Sequence, residues 1–284
     1  VYRFVDGLST LISTEQGLSN NLITIVSEDK AGRTLVGTYE GGVNVLEDGA
    51  VVEQITVEQG LESNTVLSLY AEEHALWIGT QGGGLARYDG EVRTITARDG
   101  LYSDAIFALL PDASGQLWMT SNTGLARVAL DTLHAGADGM LAKFEMSTYD
   151  KTDGLRSPEF NGGVQPAGIR DGQGRLWLPS IAGAVVFNPD SLRFNEQAPP
   201  VHIEHFLVDD TESKQTSLIK VASRSQRFEF DFAAATFIAP GAVRYRYQLE
   251  GLDANWIDAE DRRSAFYTNL EPGSYTFRVI ASNS

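Results

Sequence analysis

Short apolar runs alternate with polar, glycine-ended turns along the first two-thirds of the chain, and the alternation recurs. Four segments open with Gly-Leu, at residues 17, 60, 100 and 154, giving offsets of 43, 40 and 54 residues. An apolar run follows the first three openings: LITIV at 22–26, TVLSLY at 65–70 and AIFALL at 105–110. A turn such as DASG (112–115) or DGQG (171–174) leads to a strand carrying Leu-Trp: ALWIGT, QLWMTS, RLWLPS and, without its Trp, TLVGT. A Gly-rich hairpin, a strand like GLARYDG (84–90) and a more polar strand, VVEQIT (51–56) or VRTITA (92–97), complete the unit. Nearly continuous apolar runs are expected of inner strands buried on both faces. In the turns, Asp caps its own backbone and Gly accepts positive φ. No segment combines a helical period with caps, so no helix is predicted.

Four strands per roughly forty residues, repeated, predict a β-propeller. Trp77, Trp118 and Trp177 then belong between neighbouring blades as packing residues. The opening VYRFVDGLSTLISTEQGL aligns with GLARYDGEVRTITARDGL and GVNVLEDGAVVEQITVEQGL, placing residue 1 inside a repeat, at its third strand. Further blades are therefore expected upstream. About four and a half four-stranded blades make a partial propeller whose open faces would self-associate. The longest offset carries an insertion near DTLHAGADGM (131–140).

The repeat stops near Pro199-Pro200, dividing the chain into blades over 1–198 and a second domain over 199–284. VHIEHFLV, RFEFDFAA, VRYRYQLEG, SAFYTNL and SYTFRVIAS read as strands of an immunoglobulin- or fibronectin-III-like sandwich. The fold class is all-β throughout. In VRYRYQ, Tyr245 and Tyr247 share one face and Arg244 and Arg246 the other. Leu270, Pro272, Gly273 and Tyr275 match a tyrosine corner, in which the Tyr hydroxyl bonds to nearby backbone.

Composition narrows the chemistry. The 284 residues include no cysteine, which excludes disulfides, thiolate catalysis and Cys-based zinc sites. A net charge of −16 disfavours nucleic acid and anionic membrane as partners. The longest apolar runs are far shorter than a membrane span. The chain begins with Val, as expected of a processed or excerpted product. His202 and His205 lie three apart on a strand, which sends them to opposite faces and argues against a shared metal. His74 falls in a surface turn and His134 in the insertion. GTQGGGL (79–85) joins two strands instead of opening a helix, so it is a hairpin and not a phosphate cradle. No cofactor, metal site or catalytic residue is predicted. The loop carboxylates Asp104, Asp112, Glu159 and Asp171 would have to converge to make a glycan-cleaving enzyme.

The best candidates for ligand contact follow each Gly-Leu: Asn20, Asn21, Ser63, Asn64, Ser103, Asp104, Glu159 and Asn161. They recur at one end of every blade and would ring one mouth with short polar groups. The competing expectation is that Asn and Ser there simply shape turns.

In combination, the GL…N.V…D..G.LW.GT..GGL repeats resemble two-component regulator propeller repeats. VRYRYQLEGLDANW with FYTNLEPGSYTFRVIASN is similar to the triple-tyrosine (Y_Y_Y) domain that follows such propellers. GLRSPEFN, GRLWLPSIAGAVVFNPDSL and APPVHIEHFLVDD resemble that family's last blade and its exit. The resemblance covers essentially the whole chain. It implies the periplasmic sensor region of a bacterial membrane receptor, followed by a transmembrane helix and a histidine kinase or diguanylate cyclase. It further implies a small-molecule or glycan ligand for the propeller and a homodimeric relay through the sandwich. Tyr245, Tyr247, Trp256, Tyr267 and Tyr275 are then sandwich-core or dimer-surface residues. A polysaccharide-acting enzyme and a structural or adhesive module are the alternatives.

Overall fold

The computed structural model describes residues 1–141, 146–192, 200–213, 218–222, 224–235, 243–260 and 262–283. The chain forms two units, Val1–Leu192 and Arg193–Ser284. Pro199, the first residue of the expected second domain, lies outside the described residues.

The first unit is a series of antiparallel sheets. A hairpin of β1 (Tyr2–Val5) and β2 (Leu8–Leu11) comes first. The first complete blade is β3 (Ile23–Glu28), β4 (Thr34–Thr38), β5 (Val43–Glu47) and β6 (Ala50–Ile55), paired in chain order. The second is β7 (Val66–Ala71), β8 (Leu76–Thr80), β9 (Leu85–Tyr88) and β10 (Val92–Ile95). The third is β11 (Ala108–Pro111), β12 (Gln116–Thr120), β13 (Leu125–Ala129) and β14 (Ser147–Tyr149). Three strands form the fourth: β15 (Ile169–Arg170), β16 (Leu176–Ser180) and β17 (Gly183–Phe187).

Packing between sheets follows strand parity. Successive side chains on a strand point to opposite faces, so Leu76 and Ile78 join the core shared with the first blade while Trp77 joins the core shared with the third. Trp118 repeats this against Leu176 and Leu178 of the fourth blade. Both rings are completely buried, at 0% and 1% exposure. Leu35 holds the Trp position in the first blade. Trp177 lies on the corresponding face of the fourth blade. No further sheet covers that face among the described residues, and Trp177 is 38% exposed. The expectation of a buried Trp177 is corrected for that reason. The inner strands differ likewise: β7 is buried almost throughout, whereas β3 is half-buried because the hairpin before it has no inner strand to lie beside it.

A helix, α1 (Leu130–Ala137), occupies the insertion between β13 and β14, where no helix was expected. It spans two turns and no side chain caps its N-terminus, so neither signal that marks a helix in sequence is present. Leu133 plugs it into the core between the second and third blades. That tertiary contact stabilises a segment too short to be helical alone.

The second unit has a four-stranded and a three-stranded sheet. The strands are β18 (Val201–Val208), β19 (Thr211–Glu212), β20 (Arg227–Ala234), β21 (Val243–Glu250), β22 (Ile257–Glu260), β23 (Ser264–Thr268) and β24 (Thr276–Asn283). They pair in the orders β19-β18-β20-β23 and β22-β21-β24. Tyr245, Tyr247 and Tyr267 are buried in one aromatic core with Phe228 and Phe232, while Arg244 and Arg246 are exposed. Trp256 is 39% exposed and lies outside that core. The Tyr275 hydroxyl donates to the Glu271 carbonyl at 2.9 Å, completing the predicted corner. Tyr275→Phe should cost about 1 kcal/mol, the worth of one such bond, read by urea denaturation.

His202 and His205 do not fall on opposite faces. A bulge between Ile203 and His205 changes the parity, and the cross-strand partners become Ala233 and Asp231, two residues apart on β20. Both histidines therefore stand on the same, outward face. His205 pairs with Glu212 at 2.7 Å. Among the described residues, no three His, Asp or Glu side chains converge as a metal site.

Candidate functional site

The Gly-Leu phrase is the end of a tight turn. Ser13 and Thr56 cap short 3-10 turns, Thr14–Gln16 and Val57–Gln59, which Gly17 and Gly60 close with φ of 99° and 112°. The following Leu18, Leu61 and Leu101 are buried between sheets. The connection thus locks the outer strand of one blade to the inner strand of the next.

The predicted ligand residues sit on these connections in two structural positions. Asn21 Oδ1 accepts from the Thr14 N–H at 3.0 Å, Asn64 Oδ1 from Val57 at 2.8 Å and Asp104 Oδ1 from Ala97 at 2.7 Å. One position earlier, Asn20 accepts from the Leu22 N–H, Ser63 from Thr65 and Ser103 from Ala105. Ser157, which the sequence reading passed over, does the same for Glu159. These six Asn, Ser and Asp side chains satisfy backbone donors of their own turns. Glu159 and Asn161 differ: both are exposed, and neither side chain has a hydrogen-bond partner among the described residues.

Each connection also bonds to the hairpin of the preceding blade. Gly42 N–H donates to the Asn64 carbonyl, Gly82 N–H to Asp104 and Phe160 N–H to Ser121. Connections and hairpins therefore merge into one rim at this end. The glycine-rich hairpin 81–84 is part of it and joins β8 to β9, as expected.

The opposite end carries a second recurrent device. Trp118 Nε1 donates to Asp112 Oδ2, Trp177 Nε1 to Asp171 Oδ2 and Trp77 Nε1 to Glu72 Oε2, each at 2.8 Å. In the first blade, where the Leu35 side chain has no N–H to offer, Asp29 Oδ2 accepts from Arg33 Nε instead at 2.7 Å. The spacing of Asp to Trp, six residues in DASGQLW and DGQGRLW, is the sequence signal for this clasp. Burial alone would raise the Asp112 carboxyl. The Trp118 N–H, Ser114 and nearby backbone donors more than offset this and hold it below the usual range. Asp171 is also held low, by Trp177 first and then Arg175. A carboxyl whose folded-state pKa is depressed stabilises the fold fully above its unfolded value, and that stability is lost as pH falls. Melting temperature should therefore decline once pH drops below about 4, and Asp112→Asn should flatten part of the decline.

Beside this end a polar network anchors α1. Arg87 is 4% exposed, pairs with Asp138 at 2.5 Å and Asp89 at 3.0 Å, and lies 3.3 Å from His134 Nδ1. His134 Nε2 meets Glu72 at 2.9 Å, and its ring packs edge-on against Trp77. The corresponding space between the first and second blades has no helix and remains a cleft of about 330 Å³, bordered by Asp29, Arg33, Glu53, Glu72 and Tyr88. There Tyr88 donates to Glu53, whose carboxylate, together with burial, pushes the phenol up to about 12.

These elements match known proteins. Residues 236–284 match the Y_Y_Y domain. The chain is 25% identical over 289 aligned residues to "Histidine kinase P4" of Formosa agariphila, covering 94% of this chain and 20% of that one. In structure it is similar to the extracellular domain assigned to the hybrid two-component system BT3049 of B. thetaiotaomicron. The TM-score is 0.78 at 24% identity, over 96% of this chain and 37% of that one. The chain thus spans about a fifth of the kinase and under two-fifths of the solved domain. No helix among the described residues is long and apolar enough to cross a membrane. Residues 236–284 of the C-terminal unit thus match the Y_Y_Y domain, and nearly the whole chain is similar in fold to one extracellular domain assigned to a two-component system.

Proposed function

We propose that this chain is part of the periplasmic sensor region of a membrane-anchored bacterial signalling protein. The blades recognise a small-molecule or glycan ligand at the rim, and the Y_Y_Y sandwich relays occupancy as a homodimer. The chain itself is a binding module without turnover of its own. The observation that carries this reading is the match of blades plus Y_Y_Y domain to an extracellular domain over 96% of the chain.

Among the eight candidates, Glu159 and Asn161 keep their whole polar ends free of partners among the described residues, whereas each of the other six commits an oxygen to a backbone donor of its turn. A glycan array probed with the full extracellular region, followed by calorimetry on any hit, tests the reading. Glu159→Gln with Asn161→Ala should weaken binding at least about tenfold, the loss of one charge-assisted bond, with melting unchanged. Binding that survives this double change, or release of cleaved glycan, would sink it. A strict monomer in equilibrium sedimentation of the full extracellular region would remove the relay.

A further inference from the structure

The fourth repeat is longer than the others in one place. From the Gly of Gly-Leu to the carboxylate of the next turn is twelve positions in the first three repeats, Gly17 to Asp29, Gly60 to Glu72 and Gly100 to Asp112. From Gly154 to Asp171 it is seventeen. The excess falls where an inner strand is expected, and β15 is accordingly reduced to two residues. Residues 161–168 instead leave the sheet and pass along the inner strands of other blades. Gly162 lies so close to the Phe107 ring that no Cβ would fit, and Gly168 lies against Leu110 and Leu178. At the far side, Gln165 Oε1 accepts from the Val26 N–H at 2.7 Å and its Nε2 donates to the Val26 carbonyl at 2.6 Å.

Val26 belongs to β3, the edge strand of the first blade, whose other edge pairs with β4. An edge strand exposes N–H and C=O groups that need partners. A primary carboxamide carries its C=O and one N–H on the same side, so it can satisfy both groups of one edge residue at once. Gln165 therefore joins the first blade to the fourth across 139 positions of sequence. Gln165 and Val26 are both solvent-exposed, so breaking the two bonds between them uncovers no buried side chain of either residue.

We propose that residues 161–168 are a strap across the inner face of the blade array, anchored at Gly162 and at Ala167–Gly168, whose exposed middle, 163–166, is movable and is latched by the Gln165 carboxamide on Val26. The strap begins at Asn161, next to Glu159 on the rim. On the sensor reading above, it is the element through which a ligand there alters the contact between first and fourth blades. The latch itself does not depend on that reading, and its test needs no ligand.

The test is hydrogen exchange of the Val26 amide in the whole chain, resolved by NMR and compared with the amides of Tyr70 and Trp77, which face each other across β7 and β8. In the unaltered chain, Val26 should exchange by a local opening insensitive to low urea, while Tyr70 and Trp77 follow global unfolding. Gln165→Ala should speed Val26 exchange about tenfold or more, in line with losing both bonds, without moving Tyr70 or Trp77. Gln165→Glu discriminates further. A carboxylate accepts from the Val26 N–H but offers nothing to its carbonyl, whereas a protonated carboxyl restores both partners. Relative to the Gln165→Ala chain at each pH, its Val26 protection should therefore improve as the pH is lowered through the carboxyl range. Val26 exchange that is urea-dependent like Tyr70 would mean the strap is fixed. Exchange unchanged by Gln165→Ala would mean there is no latch. Either result overturns the proposal.

Discussion

Trp118→Ala should destabilise the blade unit by about 3–5 kcal/mol, the range for removing a large buried aromatic. Its ring is stacked on Tyr149 at 5.6 Å, meets Phe187 at 4.9 Å and lies under the Arg127 guanidinium at 5.8 Å. The substitution empties that space, and it also strips Asp112 of the Trp N–H, its main compensation for burial. Trp177→Ala is the internal control. The same clasp to Asp171 is lost there, yet one side of the ring is already open to solvent, so the cavity term is largely absent. Guanidinium denaturation should show a clearly larger loss for Trp118→Ala. Equal losses would mean that the clasp, and not interblade packing, dominates.

Phe232→Ala should be comparably severe, about 3–5 kcal/mol, in the C-terminal sheets. Phe232 is fully buried at the junction of Tyr245, Tyr247 and Phe277, with ring centroids 5.3, 6.1 and 6.1 Å away. It holds together residues from β20, β21 and β24, so their backbone amides should lose exchange protection together. Retained protection in β21 after Phe232→Ala would show that the tyrosines suffice without it.

The blades were legible because the information for them is local and repeated. A turn Asp, a Gly closing a 3-10 turn and an apolar residue at fixed spacing each have a physical cause within a few residues. Repetition separates them from chance, and the Tyr275 corner was readable for the same reason. The candidate ligand residues were found at the right end of the blades but could not be ranked. Asn64 capping the Val57 N–H and Asn161 facing solvent are the same residue type in similar company. Only the position of the backbone donor distinguishes an occupied amide from a free one.

Other features depended on long-range contact from the outset. The α1 helix exists because its Leu133 packs into the core between the second and third blades and Arg87 of the second blade holds Asp138 at its end, not because its own residues favour a helix. The side on which His202 and His205 stand was reversed by one bulge residue that alternation cannot foresee. In this chain, local spacing determined the strands, turns and repeat, since those depend on hydrogen bonds and side-chain parity between near neighbours. The tertiary structure alone decided which tryptophan is covered, which polar side chains remain free and where the strap of the fourth repeat finds Val26. Each of those depends on which groups meet across distant positions, and a carboxamide or a tryptophan carries no mark of its future neighbour.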